Sequence, residues 1–322
     1  MKKFALIGAS GFIAPRHVQA IKDTGNDLIA ATDPHDNVGF LDNFYPETAF
    51  FTEFERFDRY IDKLRGQSSA VDYISVCSPN YLHDTHIKSA LRWGADAICE
   101  KPLVLNPWNI DVLKKVEQES GRKIWNILQL RYHPAIIDLK NKVGKSDPEK
   151  VFDVDLTYIV SRGHWYYASW KGQEDKSGGI ATNIGVHFFD MLSWVFGDVK
   201  QNTVHLHTHD RASGYLEFQN ARVRWFLSIN YDMLPNEIKI KKQRSFRSIT
   251  IDGEKLEFSD GFTDLHTRVY EDILAGNGYG IEDVRKAIEI VHFVRAQSPL
   301  GLKGFYHPYA KKELEPHPFK SK

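Results

Sequence analysis

Short apolar runs alternate with amphipathic stretches over the first 127 residues of the chain. The apolar runs predict buried strands, and the stretches with apolar positions three and four residues apart predict helices. The predicted strands are FALIGA, DLIAATD, AVDYISVCSP, DAICEKP and KIWNILQL, and the predicted helices span 15–24, 83–94 and 106–121. This alternation is typical of a parallel sheet with helices on both faces.

The pattern changes after residue 127, where strands follow one another without intervening helices. VFDVDLTYIV alternates polar and apolar residues, and further strands flank the turns Gln219-Asn220-Ala221 and Asp252-Gly253. Helices are expected at 184–196 and 281–296, where they would cover one face of this sheet. The other face would then be left for a partner subunit, so we expect a homo-oligomer.

These patterns predict an α/β protein with two domains. A Rossmann-type doubly wound parallel sheet is expected over residues 1–127. An α+β domain with a large, mostly antiparallel sheet is expected over residues 128–322, where it would bind substrate and support oligomerisation.

Composition narrows the class of partner. Lys+Arg and Asp+Glu both count 42, so no net positive charge favours nucleic acid or an acidic membrane surface, and a small-molecule partner is expected. No apolar run approaches the roughly 20 residues that span a bilayer, and the apolar start breaks at Gly8, so we expect a cytoplasmic protein. Cys77 and Cys99 lie in apolar runs and are expected to be buried, reduced thiols.

The first predicted strand runs into GASGFIAPRH, a candidate phosphate-binding turn. Gly8 suits the tight turn and Gly11 a close approach of the backbone to a phosphate, while the helix that follows Phe12 and Ile13 would direct N–H groups at a pyrophosphate. The spacing departs from G-x-G-x-x-G, because Ser10 stands where the second glycine is usual.

Asp33 ends the second predicted strand, 25 residues after Gly8. This is near the place of the acid that accepts hydrogen bonds from the adenosine ribose, and a carboxylate there repels a 2′-phosphate. We therefore expect NAD rather than NADP. The alternative is that Asp33 caps the turn at Pro34.

Glu100 and Lys101 end an apolar strand, where two charges are costly unless a ligand uses them. Ligands of a doubly wound sheet bind beyond the carboxyl ends of its strands, so Lys101 is expected at the nicotinamide. A partly desolvated amine there could exchange a proton with a substrate hydroxyl while hydride leaves the same carbon. Glu100 would orient or charge-balance it, and the alternative is a surface ion pair.

The stretch SVCSPNYLHDTHIKSALRWGADAICEKP, together with the glycine turn, resembles the dinucleotide domain of the glucose-fructose oxidoreductase and inositol dehydrogenase family. The matching residues are Pro79-Asn80, His83 and Glu100-Lys101-Pro102. The resemblance implies NAD as cofactor and a cis peptide bond between Lys101 and Pro102. The cofactor contacts that it implies elsewhere in the chain are Ser78, Asn80, His83, Trp170 and Lys171.

The resemblance continues in GGIATNIGVHFFDML, with Asn183 where most members carry aspartate. On a helix Asn183 and His187 would share a face one turn apart. A histidine beside Phe188 and Phe189 is otherwise typical of a core residue. By the family pattern, His187 would position or polarise the reacting hydroxyl. Asn183 cannot accept a proton as aspartate could, so it would hydrogen-bond the substrate. Lys101 is then the expected proton acceptor.

Residues 161–171, SRGHWYYASWK, form a predicted loop that is rich in aromatic and basic side chains. Aromatic rings stack on sugars, while arginine and lysine attract carboxylate and diphosphate groups; oligomer contacts are the alternative for the tryptophans. The candidate substrate contacts are Arg162 and Tyr166 in this loop and Arg131 in LQLRYHP.

HLHTHD places His205, His207 and His209 on one face of a predicted strand, a spacing that sheet metal sites use. No carboxylate or cysteine at ligand spacing completes the set, and a half-exposed polar strand face also produces this pattern. No metal is predicted.

Within the family, NILQLRYHPAI, LTYIVSRGHWY and SWKG look most like members that act in bacterial surface-polysaccharide assembly. This implies NAD-dependent oxidation of the C3 hydroxyl of UDP-2-acetamido-2-deoxy-D-glucuronate, in lipopolysaccharide O-antigen synthesis. It also implies a homotetramer and a PLP-dependent aminotransferase as functional partner. The alternatives are a cyclitol or free-sugar dehydrogenase of the same fold and a non-catalytic dinucleotide-dependent sensor.

Overall fold

The computed structural model describes residues 1–258, 264–313 and 316–319. Their contacts divide the chain into two compact units. The first unit combines residues 1–132 with the described part of 262–285, and the second combines the described parts of 133–261 and 286–322. A segment from the C-terminal third thus belongs to the first unit. That residues 1–127 bind the dinucleotide and residues 128–322 bind the substrate and support oligomerisation stays a prediction.

The N-terminal residues of the first unit form a sheet with strand order β3-β2-β1-β4-β5-β6, in which all pairs are parallel. In chain order the elements are β1 (Lys3–Ile7), α1 (Ala14–Asp23), β2 (Asp27–Thr32), β3 (Ala49–Phe51), α2 (Phe54–Leu64), β4 (Tyr73–Val76), α3 (His83–Arg92), β5 (Asp96–Cys99), α4 (Pro107–Ser120) and β6 (Ile124–Asn126). The predicted parallel Rossmann sheet is confirmed.

The remaining residues form a second six-stranded sheet and further helices, one of which, α10 (Leu265–Leu274), belongs to the first unit. In chain order the elements are α5 (Pro134–Gly144), β7 (Phe152–Val160), α6 (Trp165–Ala168), α7 (Glu174–Ser177), α8 (Val186–Phe196), β8 (Val199–His207), β9 (Arg211–Phe218), β10 (Ala221–Ser228), α9 (Asn236–Ile240), β11 (Ser245–Ile251), β12 (Glu254–Lys255), α10 (Leu265–Leu274) and α11 (Arg285–Ala296). The sheet order is β12-β11-β7-β10-β9-β8. Only the β7–β10 pair among these strands is parallel, so the predicted mostly antiparallel sheet is confirmed.

Helix α10 packs into the core of the first unit although it follows the second sheet in sequence. Val269, Tyr270 and Ile273 of α10 join Phe4 of β1 and Val18 of α1 in one apolar cluster. Fully burying an aliphatic or aromatic side chain stabilises a fold by about 1.5–3 kcal/mol. Three such side chains make α10 a structural part of the Rossmann unit.

The structure corrects two local predictions. Residues 161–171 are not a continuous loop, because they contain α6 and a 3₁₀ turn at Trp170–Gly172. A side chain at Gly172 would meet the backbone of Tyr167 at 2.5 Å, so glycine allows the two turns to pack closely. The three histidines of HLHTHD do not share a strand face. The β8–β9 register shifts between Val204 and Leu206, and β8 ends at His207.

Within the described residues, no helix combines the length and the apolar character that a membrane span requires. Cys77 and Cys99 are both buried free thiols, as predicted.

Candidate active site

The glycine turn after β1 can be formed only with glycine at position 8. Gly8 has φ +90°, and a Cβ there would lie 2.5 Å from the carbonyl carbon of Cys77. Its N–H donates to the carbonyl oxygen of Thr32 at 2.9 Å, and the N–H of Gly11 donates back to the carbonyl oxygen of Gly8 at 3.1 Å. The turn leads into α1, so its geometry fits the predicted pyrophosphate site at the start of a helix.

Asp33 is buried directly after β2, where its carboxylate hydrogen-bonds the glycine turn. One oxygen, Oδ2, accepts the Ser10 N–H at 3.1 Å, and Oδ1 accepts the His35 N–H at 2.9 Å. Asp33 therefore caps the turn at Pro34, which was the alternative to a ribose contact. Each carboxylate oxygen keeps further acceptor capacity. A ribose contact from Asp33 stays a prediction.

The other predicted cofactor contacts of the first unit lie around the carboxyl ends of β1 and β4. Phe12 is 92% exposed, whereas Ile13 is half-buried. Ser78 and Asn80 are buried, and the Ser78 hydroxyl lies 2.8 Å from Nδ1 of His86. Their contacts to NAD stay predictions.

His83 links two segments of main chain at this edge of the sheet. Its Nδ1 lies 2.7 Å from the carbonyl oxygen of Pro102, and its Nε2 lies 2.8 Å from that of Ser78. Burial lowers the pKa of His83, while the two carbonyl contacts oppose that shift. The imidazole thus fixes the backbone on the C-terminal side of Lys101, whose peptide bond to Pro102 is cis as predicted.

Glu100 is 6% exposed, so a surface ion pair does not describe its carboxylate. Oε1 lies 3.0 Å from Nε2 of His17 and 3.1 Å from Nε2 of His266, while Oε2 accepts the main-chain N–H of Lys101 at 3.1 Å. Burial alone would raise the pKa of Glu100, but the hydrogen bonds from His17 and His266 hold it well below its usual value. Glu100 is therefore ionised, and it holds the backbone of the half-buried Lys101.

The partners of Glu100 were not predicted from the sequence. Tyr270 on α10 extends the network, because its hydroxyl lies 2.7 Å from Nδ1 of His17 and 2.6 Å from the hydroxyl of Ser75. Burial lowers the pKa of His17. His266 and Tyr270 are four residues apart on a helical pattern, which is the signal that a sequence offers for two polar groups on one buried face.

In the second unit, Asn183 and His187 lie where the chain enters α8. Asn183 is part of a π-helical turn, Ala181–Gly185, and such turns are frequent at functional sites. Its Nδ2 donates to the hydroxyl of Tyr166 at 2.8 Å. Tyr166 is 1% exposed, so its ring belongs to the core. His187 is half-buried with its ring centroid 4.3 Å from that of Phe188.

An open pocket of about 540 Å³ lies in the second unit, at the end of β7 and the start of β11. Arg162, which was predicted, and Arg244, which was not, both line it together with Trp165. Arg244 donates to the hydroxyl of Ser161 at 3.3 Å, and Trp165 is 55% exposed. The pocket therefore offers two guanidinium groups and an aromatic face.

Three further predicted residues have defined surroundings. The ammonium of Lys171 lies 4.7 Å from the ring centroid of Trp170, and their cofactor contacts stay predictions. Arg131 is buried in the first unit, where Nη1 lies 3.2 Å from Asp283 and the guanidinium lies 4.4 Å from the ring centroid of Tyr279. These contacts account for its buried charge, and its substrate contact stays a prediction.

A parallel sheet with a glycine turn after β1 and an acid after β2 is the arrangement of a dinucleotide-binding protein, and Lys101 after β5 lies at the edge of the sheet where such a ligand binds. Residues 2–127 match the family model described as the oxidoreductase family, NAD-binding Rossmann fold. Residues 149–240 match the oxidoreductase family, C-terminal alpha/beta domain. The chain belongs to this GFO/IDH/MocA family, as its motifs indicated, and the prediction of an NAD-binding domain is confirmed.

Solved structures are similar over nearly the whole chain. The WlbA (WbpB) dehydrogenase from Thermus thermophilus, in complex with NAD and UDP-GlcNAcA, is 47% identical with a TM-score of 0.92, and the match covers 96% of this chain and 100% of that one. The same enzyme in complex with NAD and alpha-ketoglutarate is 48% identical with a TM-score of 0.90, covering 94% and 97%. The putative oxidoreductase YteT of Bacillus subtilis is 27% identical over 48% of this chain, and the match spans 36% of YteT.

Proposed function

We propose that this protein is an NAD-dependent dehydrogenase that oxidises the C3 hydroxyl of UDP-2-acetamido-2-deoxy-D-glucuronate, or UDP-GlcNAcA, to a 3-keto sugar. The observation that carries the proposal is the 47% identity, over 96% of the chain, to an enzyme crystallised with NAD and UDP-GlcNAcA. The assignment of C3 rests on the sequence resemblance. Both compact units fall within the matched length, so the similarity is not confined to the dinucleotide fold.

The chain's own residues supply the proton chemistry and the orientation of the sugar. Bound NAD supplies the hydride acceptor. Lys101, in its neutral form, accepts the proton of the C3 hydroxyl as hydride leaves C3. His187 positions or polarises that hydroxyl, and Asn183 hydrogen-bonds the sugar.

The charge of the second-unit pocket supports an anionic substrate. UDP-GlcNAcA carries a diphosphate and a carboxylate, and guanidinium groups bind both kinds of oxyanion with paired hydrogen bonds. Arg162 and Arg244 line the pocket beside the exposed face of Trp165. A neutral cyclitol or free sugar would have no use for two guanidinium groups there.

Oligomeric state and pathway are part of the same proposal. We propose a homotetramer joined through the sheet of the second unit, because the family resemblance implies it. The 3-keto product would pass to a PLP-dependent aminotransferase in lipopolysaccharide O-antigen synthesis. Light scattering at micromolar concentration is expected to report a tetramer, and a monomer would contradict this part.

The decisive experiment measures product rather than cofactor alone. The purified protein is incubated with NAD and UDP-GlcNAcA, UDP-GlcNAc, myo-inositol or glucose, with and without 2-oxoglutarate to reoxidise NADH. Mass spectrometry detects the loss of two hydrogens from the sugar, and absorbance at about 340 nm follows NADH. We expect turnover of UDP-GlcNAcA, with UDP-GlcNAc slower because it lacks the carboxylate.

Two variants locate the site. Lys101→Met is expected to lower kcat by about 10² to 10⁴ while NAD still binds. Arg244→Ala is expected to raise KM for UDP-GlcNAcA and to leave NAD binding unchanged. Turnover of myo-inositol but not of UDP-GlcNAcA would favour the cyclitol dehydrogenase. NAD binding without turnover of any sugar would favour the sensor.

A further inference from the structure

We infer that His17, Glu100 and His266, here called the Glu100 triad, are positioning residues that hold the main chain of Lys101 in its working place. The inference rests on the proposed function, because it assumes that Lys101 transfers the proton. The observation behind it is that the carboxylate of the triad accepts a hydrogen bond from the main-chain amide of the residue that would act as base.

The hydrogen bonds of the triad are mutually consistent. Oε1 of Glu100 accepts the Nε2–H groups of both histidines, at 3.0 and 3.1 Å, and Oε2 accepts the Lys101 N–H at 3.1 Å. With its proton on Nε2, His17 accepts at Nδ1 from the Tyr270 hydroxyl at 2.7 Å. Tyr270 in turn accepts from Ser75 at 2.6 Å. Each contact in this series then joins one donor to one acceptor.

The triad is assembled from three parts of the sequence. His17 lies on α1, which follows the glycine turn, and it is 83 residues from Glu100. His266 lies on α10 and is 166 residues from Glu100. Because Val269, Tyr270 and Ile273 together pack α10 into the apolar cluster, His266 lies on a packed helix rather than on a loop.

A purely structural role does not account for this arrangement. A buried charge network is often no more stabilising than apolar side chains of similar volume, so a fold gains little from it. An ionised carboxylate does give a directional hold on one amide. A displacement of about 1 Å at a reacting group can cost on the order of 10²-fold in rate. The Glu100 triad supplies directional restraint at the residue where such a displacement matters.

Two histidines and a glutamate could also bind a metal ion, since one ligand atom from each lies within 4.8 Å of the others. The hydrogen-bond set favours the positioning role, because it satisfies the triad through Lys101 and Tyr270. Metal analysis of the purified protein separates the two. A stoichiometric ion that is lost in His266→Leu would overturn the inference.

The first experiment compares kcat with ligand binding in three variants. Glu100→Gln and His266→Leu are expected to lower kcat on the order of 10²-fold, with Kd for NAD and KM for UDP-GlcNAcA within about threefold of the parent. His266→Gln keeps a donor toward Glu100 and is expected to recover most of the loss. Val269→Ala on the same helix is the matched control, with a lower Tm and an unchanged kcat. Equal losses in Val269→Ala and His266→Leu would overturn the inference.

The second experiment is a double-mutant cycle with Lys101→Met. If the triad acts through Lys101, Glu100→Gln should cause little further loss once the lysine is gone. The same fold-loss in both backgrounds would show that Glu100 acts elsewhere, and would overturn the inference. Failure of the proposed function has a separate signature, because the parent protein would then not turn over UDP-GlcNAcA. Near-native kcat in Lys101→Met would instead contradict the role of Lys101 as base.

Discussion

Glu100 in the first unit and Asp210 in the second are both buried carboxylates, but the groups that compensate their charge differ. Glu100 of the first unit faces the imidazoles of His17 and His266. Asp210 of the second unit faces a permanent charge, because Nη2 of Arg211 lies 2.7 Å from its Oδ2 and the arginine side chain is fully buried. Burial alone would raise the pKa of Asp210, but the Arg211 hydrogen bond holds it below its usual value.

The two networks also differ in the backbone group that each one contacts. Arg211 lies on β9 and donates to the carbonyl oxygen of Glu313 at 2.8 Å, so this hydrogen bond connects the C-terminal segment to β9. Glu100 instead accepts from the amide of Lys101. We therefore expect loss of Arg211 to affect mainly stability, because it would leave Asp210 as an unpaired buried charge, and loss of Glu100 to affect mainly the placement of a neighbouring reactive group. Substitutions in each network can separate these two uses.

The largest effect on stability is expected from Arg211→Met. Removing one partner of a buried pair leaves the other charge uncompensated and typically costs about 3–5 kcal/mol. Denaturant unfolding should show this loss, while kcat per folded molecule should remain near the parent value at low temperature. An unfolding free energy equal to that of the parent would show that the pair does not contribute to stability.

Glu100→Gln is expected to have the opposite pattern, with a small loss of stability and a large loss of kcat. The amide keeps the shape of the side chain but replaces one acceptor oxygen with a donor, which then faces either the imidazole N–H groups or the Lys101 N–H, a mismatch that costs about 1–3 kcal/mol. The loss of unfolding free energy should therefore be smaller than in Arg211→Met, although the loss of kcat is much larger. Measuring both quantities in both variants tests the comparison directly.

The pH dependence of stability is expected to expose His17. Because burial lowers its pKa in the folded state, the unfolded chain binds the extra proton as pH falls below about 6.5, and stability then decreases. The slope per such proton is at most about 1.4 kcal/mol per pH unit. His17→Gln cannot titrate, so its unfolding free energy should change less between pH 7 and about pH 5.5. An identical slope in parent and variant would contradict this assignment.

The smallest effect concerns Asp33, a carboxylate that accepts from the backbone amides of Ser10 and His35. NAD should bind at least about tenfold more tightly than NADP, a difference of roughly 1.4 kcal/mol. Asp33→Ala should reduce the preference to about threefold or less, because the repulsion of a 2′-phosphate is removed. Calorimetry with both cofactors measures the ratio, and equal affinities in the parent protein would rule out the ribose role.

Local sequence patterns predicted the parts of the fold that depend on neighbouring residues. The buried strand in DAICEKP was predicted from a short apolar run, and it is present. The cis bond before Pro102 was implied by the family resemblance, and it is present as well. Strand β3 was missed because three half-buried residues carry too little periodicity. Helix α2 was also missed, although its apolar positions Phe57 and Ile61 have helical spacing.

The candidate site shows the same limit. Lys101 could be predicted because its charge interrupts an apolar strand. His266 could not, because only folding brings it to a partner 166 residues away. Arg244 reaches its pocket through the pairing of β11 with β7, just after its own position. Long-range pairing of this kind leaves no mark in the local pattern of a single sequence.

The return of α10 to the first unit also constrains how the chain is made. A nascent chain of residues 1–132 contains all six strands of the Rossmann sheet but not Val269, Tyr270 and Ile273, which complete its core. The sheet of the second unit, which ends with β12 at Lys255, is complete before α10 emerges. The first unit therefore begins first but is completed only after the second sheet, and a fragment that stops at residue 132 lacks both α10 and His266, which reaches Glu100.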